Sequence, residues 1–203
     1  MYSTQKHTTH KALIGIALMI LSSLVVVFLA GCGSQQATRS TLVASVPVRH
    51  VNLNLDIIIN HAGYQKDWPA FAPSALTVPA NSIVTVTLRN FDLGDTPLSN
   101  GSPFTKVQGT IGGSASVDGH SYTELSPDKV AHTFSVPQLN LSVPIPGDGI
   151  TGQDHNTVTF TFKTGATGTY TIQCYDPCGT GSSGWMGPMA MKGYMSGTLI
   201  VQG

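Results

Sequence analysis

The chain has 203 residues, ten of them basic and ten acidic, and only 10% of the sequence is charged, while Gly and Pro number 22 and 12. A balanced charge argues against a nucleic-acid binder, which needs a basic surface to neutralise phosphates. So few charges with so many turn formers describe a turn-rich β domain and not a helical one.

The first stretch carries Lys6, His7, His10 and Lys11, then an apolar run from Ala12 to Ala30 broken only by Gly15, Ser22 and Ser23. A basic head, an apolar core and small residues ahead of a cut make an export signal. Its closing Leu29-Ala30-Gly31-Cys32 resembles the lipobox of bacterial lipoproteins. That resemblance implies cleavage after residue 31 and a diacylglyceryl group on the sulfur of Cys32. A retained transmembrane anchor is the alternative, because the 19 residues from Ala12 to Ala30 nearly suffice to cross a bilayer. Either way the remainder is held at the extracytoplasmic face of the cell membrane, through lipid on Cys32 in the first case. Loss of Lys6 and Lys11 with the leader gives the rest a net charge of about −2, again unsuited to nucleic acid.

Residues 1–31 are therefore expected to be the leader, 32–48 a flexible tether of Ser, Gln, Ala, Thr and Val, and 49–203 one domain. In Val51-Asn-Leu-Asn-Leu-Asp-Ile57 strict alternation puts Val51, Leu53, Leu55 and Ile57 on one face of a strand. A turn-rich stretch from His61 to Pro73 holds Trp68 and Phe71. Pro79-Ala-Asn81 is a tight connection between a short strand and a longer β-branched one through Ile83–Leu88. The span 92–126 is rich in Gly, Ser, Asp and Pro, shows no dependable secondary structure, and is long for a connection inside a compact domain. Further strands are expected at Val130–Val136, Thr157–Lys163, Thr169–Cys174 and Gly197–Val201, with a Pro-punctuated segment through Pro144 and Pro146. Many short strands with Gly/Pro turns, and no credible helix after the leader, make an all-β sandwich the expected fold.

With Cys32 acylated, Cys174 and Cys178 remain in an oxidising compartment, as a disulfide or as metal ligands. Pro177 prevents a continuous helix through the pair. Two thiolates on a short loop at a strand end, with imidazole and thioether in reach, form a soft N/S donor set suited to copper, zinc or an iron–sulfur unit. His132 alternates with Phe134 and Val136 on an apolar strand face, a position that suits a shielded ligand and equally a satisfied core histidine. Met186, Met189, Met191 and Met195 follow the cysteines, either as gap-filling core residues or as sulfur donors. No nucleophile elbow, His-Glu-x-x-His or phosphate loop is present.

The segment from Val130 to Gly147, with His132 in Val-Ala-His-Thr-Phe, resembles the first-histidine strand and loop of the copper domain of cytochrome c oxidase subunit II and related cupredoxins. Thr164–Gly179, ending Gln-Cys-Tyr-Asp-Pro-Cys-Gly, is similar to that family's two-cysteine run, and 71–90 resembles the strand-turn-strand that opens many cupredoxin domains. The resemblance implies a cupredoxin-like Greek-key β-sandwich that binds copper through His132, Cys174, Cys178, the main-chain carbonyl of Asp176 and a methionine, with Met186 one residue from the expected slot. It departs from the pattern at Ser182 and Trp185, where a second histidine and the methionine would fall in ungapped register. No histidine follows His155. The implied role is single-electron transfer with a membrane-associated redox protein or oxidase. Copper delivery or storage, and a non-metal binding module with a Cys174–Cys178 disulfide, are the other readings.

Overall fold

The computed structural model describes residues 47–94, 96–147, 154–179 and 186–203. The leader, Cys32, the tether up to residue 46, and the departures at Ser182 and Trp185 lie outside these. Among the described residues no helix is long and apolar enough to cross a membrane.

Eleven strands form two sheets among these residues. The first sheet runs β2 (Ala70–Ala72), β1 (Arg49–Ile58), β4 (Ser82–Asn90), β9 (Asn156–Lys163), β5 (Ala115–Val117) and β6 (His120–Tyr122). The second runs β3 (Ala75–Pro79), β11 (Ser196–Gln202), β10 (Gly168–Gln173), β7 (Val130–Val136) and β8 (Leu141–Pro146). The parallel pairings of β1 with β4 and of β3 with β11 sit among antiparallel neighbours, and the chain changes sheet between β2 and β3, β3 and β4, β6 and β7, β8 and β9, and β9 and β10. This is the all-β, two-sheet sandwich expected from the sequence.

Alternation drives the assembly. Leu55 and Ile57 of β1, Val84, Val86 and Leu88 of β4, and Val158, Phe160 and Phe162 of β9 are all buried. They face Leu76, Val78, Leu199 and Val201 of the second sheet in one core cluster. Phe134 of β7 bridges the layers, its ring 6.0 Å from that of Phe71 and 5.4 Å from that of Phe160. Such pairs add about 0.5–1.5 kcal/mol beyond the area they bury.

Three segments differ from the sequence expectation. The Pro-punctuated run after Val136 is the strand β8, buried along its whole length. It lies at the edge of its sheet, where proline's missing N–H costs no ladder bond. The 92–126 span supplies β5 and β6 to the first sheet and also covers that edge. Gln108 and Ser142 exchange backbone hydrogen bonds of 2.7 and 3.0 Å, and the Tyr122 hydroxyl donates to the Pro144 carbonyl at 2.7 Å. Gly109, at φ +72°, is required beneath this contact, since a Cβ there would stand 2.9 Å from Leu141 Cα. A single helical turn, α1 (Gly187–Ala190), is the third departure.

Candidate metal centre

β7 pairs with β8 and β10, and its first residues reach the end of the sandwich where β10 finishes. The β7–β8 register shifts between Val130 and His132, leaving Ala131 as the extra residue of a bulge. A bulge re-aims the side chains beside it, and His132 is 1% exposed. Cys174 directly follows β10, with its N–H donating to the Met195 carbonyl at 2.9 Å. Gln173 pairs with Ser135, which brings the next residues of the loop alongside Thr133. The Thr133 N–H donates to Cys174 Sγ at 3.4 Å, and the Tyr175 N–H donates to Thr133 Oγ1 at 2.8 Å. Pro177 then turns the chain so that Cys178 returns to Cys174. The Cys178 N–H donates to the Asp176 carbonyl at 2.7 Å, and the two sulfurs stand 3.9 Å apart, not joined in a disulfide.

A ring nitrogen of His132 and the sulfurs of Cys174 and Cys178 lie within 4.8 Å of one another, and all three residues are buried. The structure thus brings together the three principal ligands that sequence pattern proposed. The Asp176 carbonyl joins them, 3.5 Å from Cys174 Sγ, and its side chain is fully buried. Met186 is 42% exposed, in the left-handed region at φ +62°, with its N–H on the Cys178 carbonyl at 2.9 Å. Met195, by contrast, is fully buried in the core cluster that contains both cysteines. His50, His61 and His120 are exposed, and the half-buried His155 ring lies 4.9 Å from that of Phe91.

Asp92, which the sequence marked only as the start of a long connection, belongs to this site. Its Oδ2 is 3.2 Å from His132 Nε2. The Asp92 backbone is itself held by a clamp from Asn90, the fully buried last residue of β4. Asn90 accepts from the Asp92 N–H at 3.1 Å and donates to the carbonyls of Asp92 at 2.9 Å and Pro146 at 3.0 Å. The Asn-x-Asp spacing at a strand end was the signal available, since a side chain there bonds its own backbone two residues on. A cleft of about 80 Å³, lined by Asp67, Asp92, His132 and Cys178 among others, adjoins the cluster.

Electrostatics follow from this packing. Burial disfavours the imidazolium, but Asp92 and Cys174 outweigh it and the pKa of His132 is pushed up to about 9. Burial also disfavours a Cys174 thiolate, yet the Cys178 thiol, His132 and the Thr133 N–H hold its pKa well below the ordinary range. Cys178 moves the other way, pushed far up by its hydrogen bond to Cys174, by burial, and by the charges of Cys174 and Asp176. At Asp92 desolvation is outweighed by His132 and the Gly94 N–H, which keep its carboxyl below the usual value.

A metal ion fits these residues. Both ring nitrogens of His132 are buried without a hydrogen bond of regular geometry among the described residues, which is costly for polar atoms unless something ligates or pairs with them. One imidazole and two sulfurs are the soft donors that copper and zinc take. The contacts made by Thr133 and Met195 leave the Cys174 sulfur directed at His132.

No family model matches the chain, and no curated protein matches it. Solved structures with which it aligns include a copper nitrite reductase from Nitrosomonas europaea (19% identity, 76% of this chain and 42% of that one, TM-score 0.34). They also include rusticyanin from Thiobacillus ferrooxidans (15% identity, 74% and 77%, TM-score 0.31) and auracyanin B (18% identity, 75% and 89%, TM-score 0.31). The chain spans less than half the length of the nitrite reductase. At these scores the likenesses carry nothing about chemistry, and the site stands on the geometry of His132, Cys174 and Cys178.

Proposed function

We propose that this chain is a copper-binding, cupredoxin-like electron carrier, tethered by lipid on Cys32 at the extracytoplasmic face of the membrane, where it exchanges single electrons with a membrane-associated redox protein or oxidase. The observation that carries the reading is the buried convergence of His132, Cys174 and Cys178 within 4.8 Å. Imidazole stabilises cupric ion, thiolate and thioether stabilise cuprous ion, and a closed apolar surround limits rearrangement between the two. The Asp176 carbonyl and a thioether complete the donor set in this reading, with Met186 favoured by sequence register and Met195 by burial. The purified full chain, reconstituted anaerobically with copper, is expected to take up the ion stoichiometrically and to show thiolate-to-copper absorption. Absence of both refutes the proposal.

A second reading, copper delivery or storage, is favoured by Met186 and Met191, which are 42% and 47% exposed beside the site's loop. Exposed thioethers offer a weak acceptor surface for cuprous ion. Voltammetry separates the two: a reversible one-electron wave supports the carrier, and tight cuprous binding without one supports delivery.

A further inference from the structure

His132 offers two ring nitrogens, and a metal can use only the one that nothing else holds. Nε2 lies at ion-pair distance from Asp92 Oδ2, 3.2 Å, whereas no charged group is paired with Nδ1, and neither nitrogen makes a hydrogen bond of regular geometry among the described residues. Asp92 is not a passing surface acid. Its side chain is 17% exposed, Oδ1 accepts from the Gly94 N–H at 3.3 Å, and its backbone is clamped in both directions by buried Asn90. Asn90 also reaches the Pro146 carbonyl, opposite Val130 and beside the bulge that aims His132. Asn156 donates to the carbonyls of Pro146 and Gly147, so the last residue of β4 and the first of β9 together fix the end of β8. One sheet thereby positions the carboxylate, and the other positions the imidazole it meets.

Building on the metal-binding reading, we propose that Asp92 is the positioning residue of the centre: it holds His132 through Nε2, leaves Nδ1 as the metal donor, and places a fixed negative charge one ring away from the ion. A carboxylate behind a ligating histidine fixes the ring's orientation and raises its basicity, and losing such a partner costs about 10- to 100-fold in metal affinity. Its charge also favours the more positive state of a bound redox ion.

The test compares Asp92→Asn and Asp92→Ala with the unaltered full chain. Copper affinity is measured by competition, reduction potential by voltammetry, and fold stability by urea unfolding. Asparagine keeps an acceptor for Nε2–H and the turn to Gly94 but removes the charge. Asp92→Ala is expected to lose about 10- to 100-fold in affinity, and Asp92→Asn less. Both potentials should shift upward, a readout that a purely structural residue would not move. If the unaltered chain binds copper and both variants match its affinity and potential, the role of Asp92 is refuted and the metal reading stands. If the unaltered chain binds neither copper nor zinc, both proposals fall together.

Discussion

Titrating the metal-free chain with zinc, which binds soft N/S sites without redox chemistry, acts on three ionisable ligands that start from different states. Near pH 8, His132 is still largely protonated because its pKa stands at about 9. Cys174 is held as thiolate and has no proton to give. Cys178 is a thiol, since both Cys174 and burial resist its ionisation. Ligation requires neutral imidazole and two thiolates, so close to two protons should leave for each zinc bound, one from His132 and one from Cys178. Each released proton makes affinity rise tenfold per pH unit, or about 1.4 kcal/mol. Affinity should therefore climb roughly 100-fold per unit below about pH 9 and about tenfold per unit above it, where His132 is already neutral. Anaerobic calorimetry in buffers of different ionisation enthalpy counts these protons directly. A count of three near pH 8 would refute the thiolate at Cys174, and a count of one that stays constant through pH 10 would refute the raised pKa of His132.

Cys174→Ser should abolish thiolate-to-copper absorption in the reconstituted chain, whereas His50→Ala, at an exposed position of β1, should leave the spectrum unchanged. Thr133→Val removes the acceptor of the Tyr175 N–H and should cost about 1–3 kcal/mol in urea unfolding. Gly187→Ala would set a Cβ 2.7 Å from Cη2 of the buried Trp68 ring, and the overpacking should cost about 1–3 kcal/mol by the same assay.

How much of this was legible depended on whether the signal was local. β1, β4 and β9 alternate so strictly that their buried faces follow from sequence, and the burial of Leu55, Val86 and Phe160 agrees. β8 was hidden because Pro144 and Pro146 argue against a strand until its edge position is known. β5 and β6 have three residues each and owe their conformation to pairing with β9 and with each other, which no local pattern encodes. At the site, ligand chemistry and order along the chain pointed to His132, Cys174 and Cys178. Asp92 stayed out of view because its partner lies forty residues away, reached through the end of one sheet and a bulge in the other. The methionines needed the fold as well: sequence register favours Met186, and only packing shows Met195 buried with the cysteines.

The ligands are not equally fixed, and this bears on how such a centre would behave. His132 lies within a strand buried on both faces, with Asp92 behind it. Cys174 is tied to β7 through the Thr133 N–H and to the residue before β11 through the Met195 carbonyl. Both therefore move only if the sandwich moves, and close-packed interiors deform little. Among the described residues the backbone of Cys178 bonds only within its own loop, its N–H donating to the Asp176 carbonyl and its carbonyl accepting from the Met186 N–H. An imidazole and one thiolate thus form a rigid pair, while the second thiolate sits on a short loop between them and α1. A change in oxidation state that alters preferred bond lengths would be absorbed at Cys178. Cys178→Ser should accordingly retain a copper–thiolate band from Cys174 while shifting the potential, and Cys174→Ser should not.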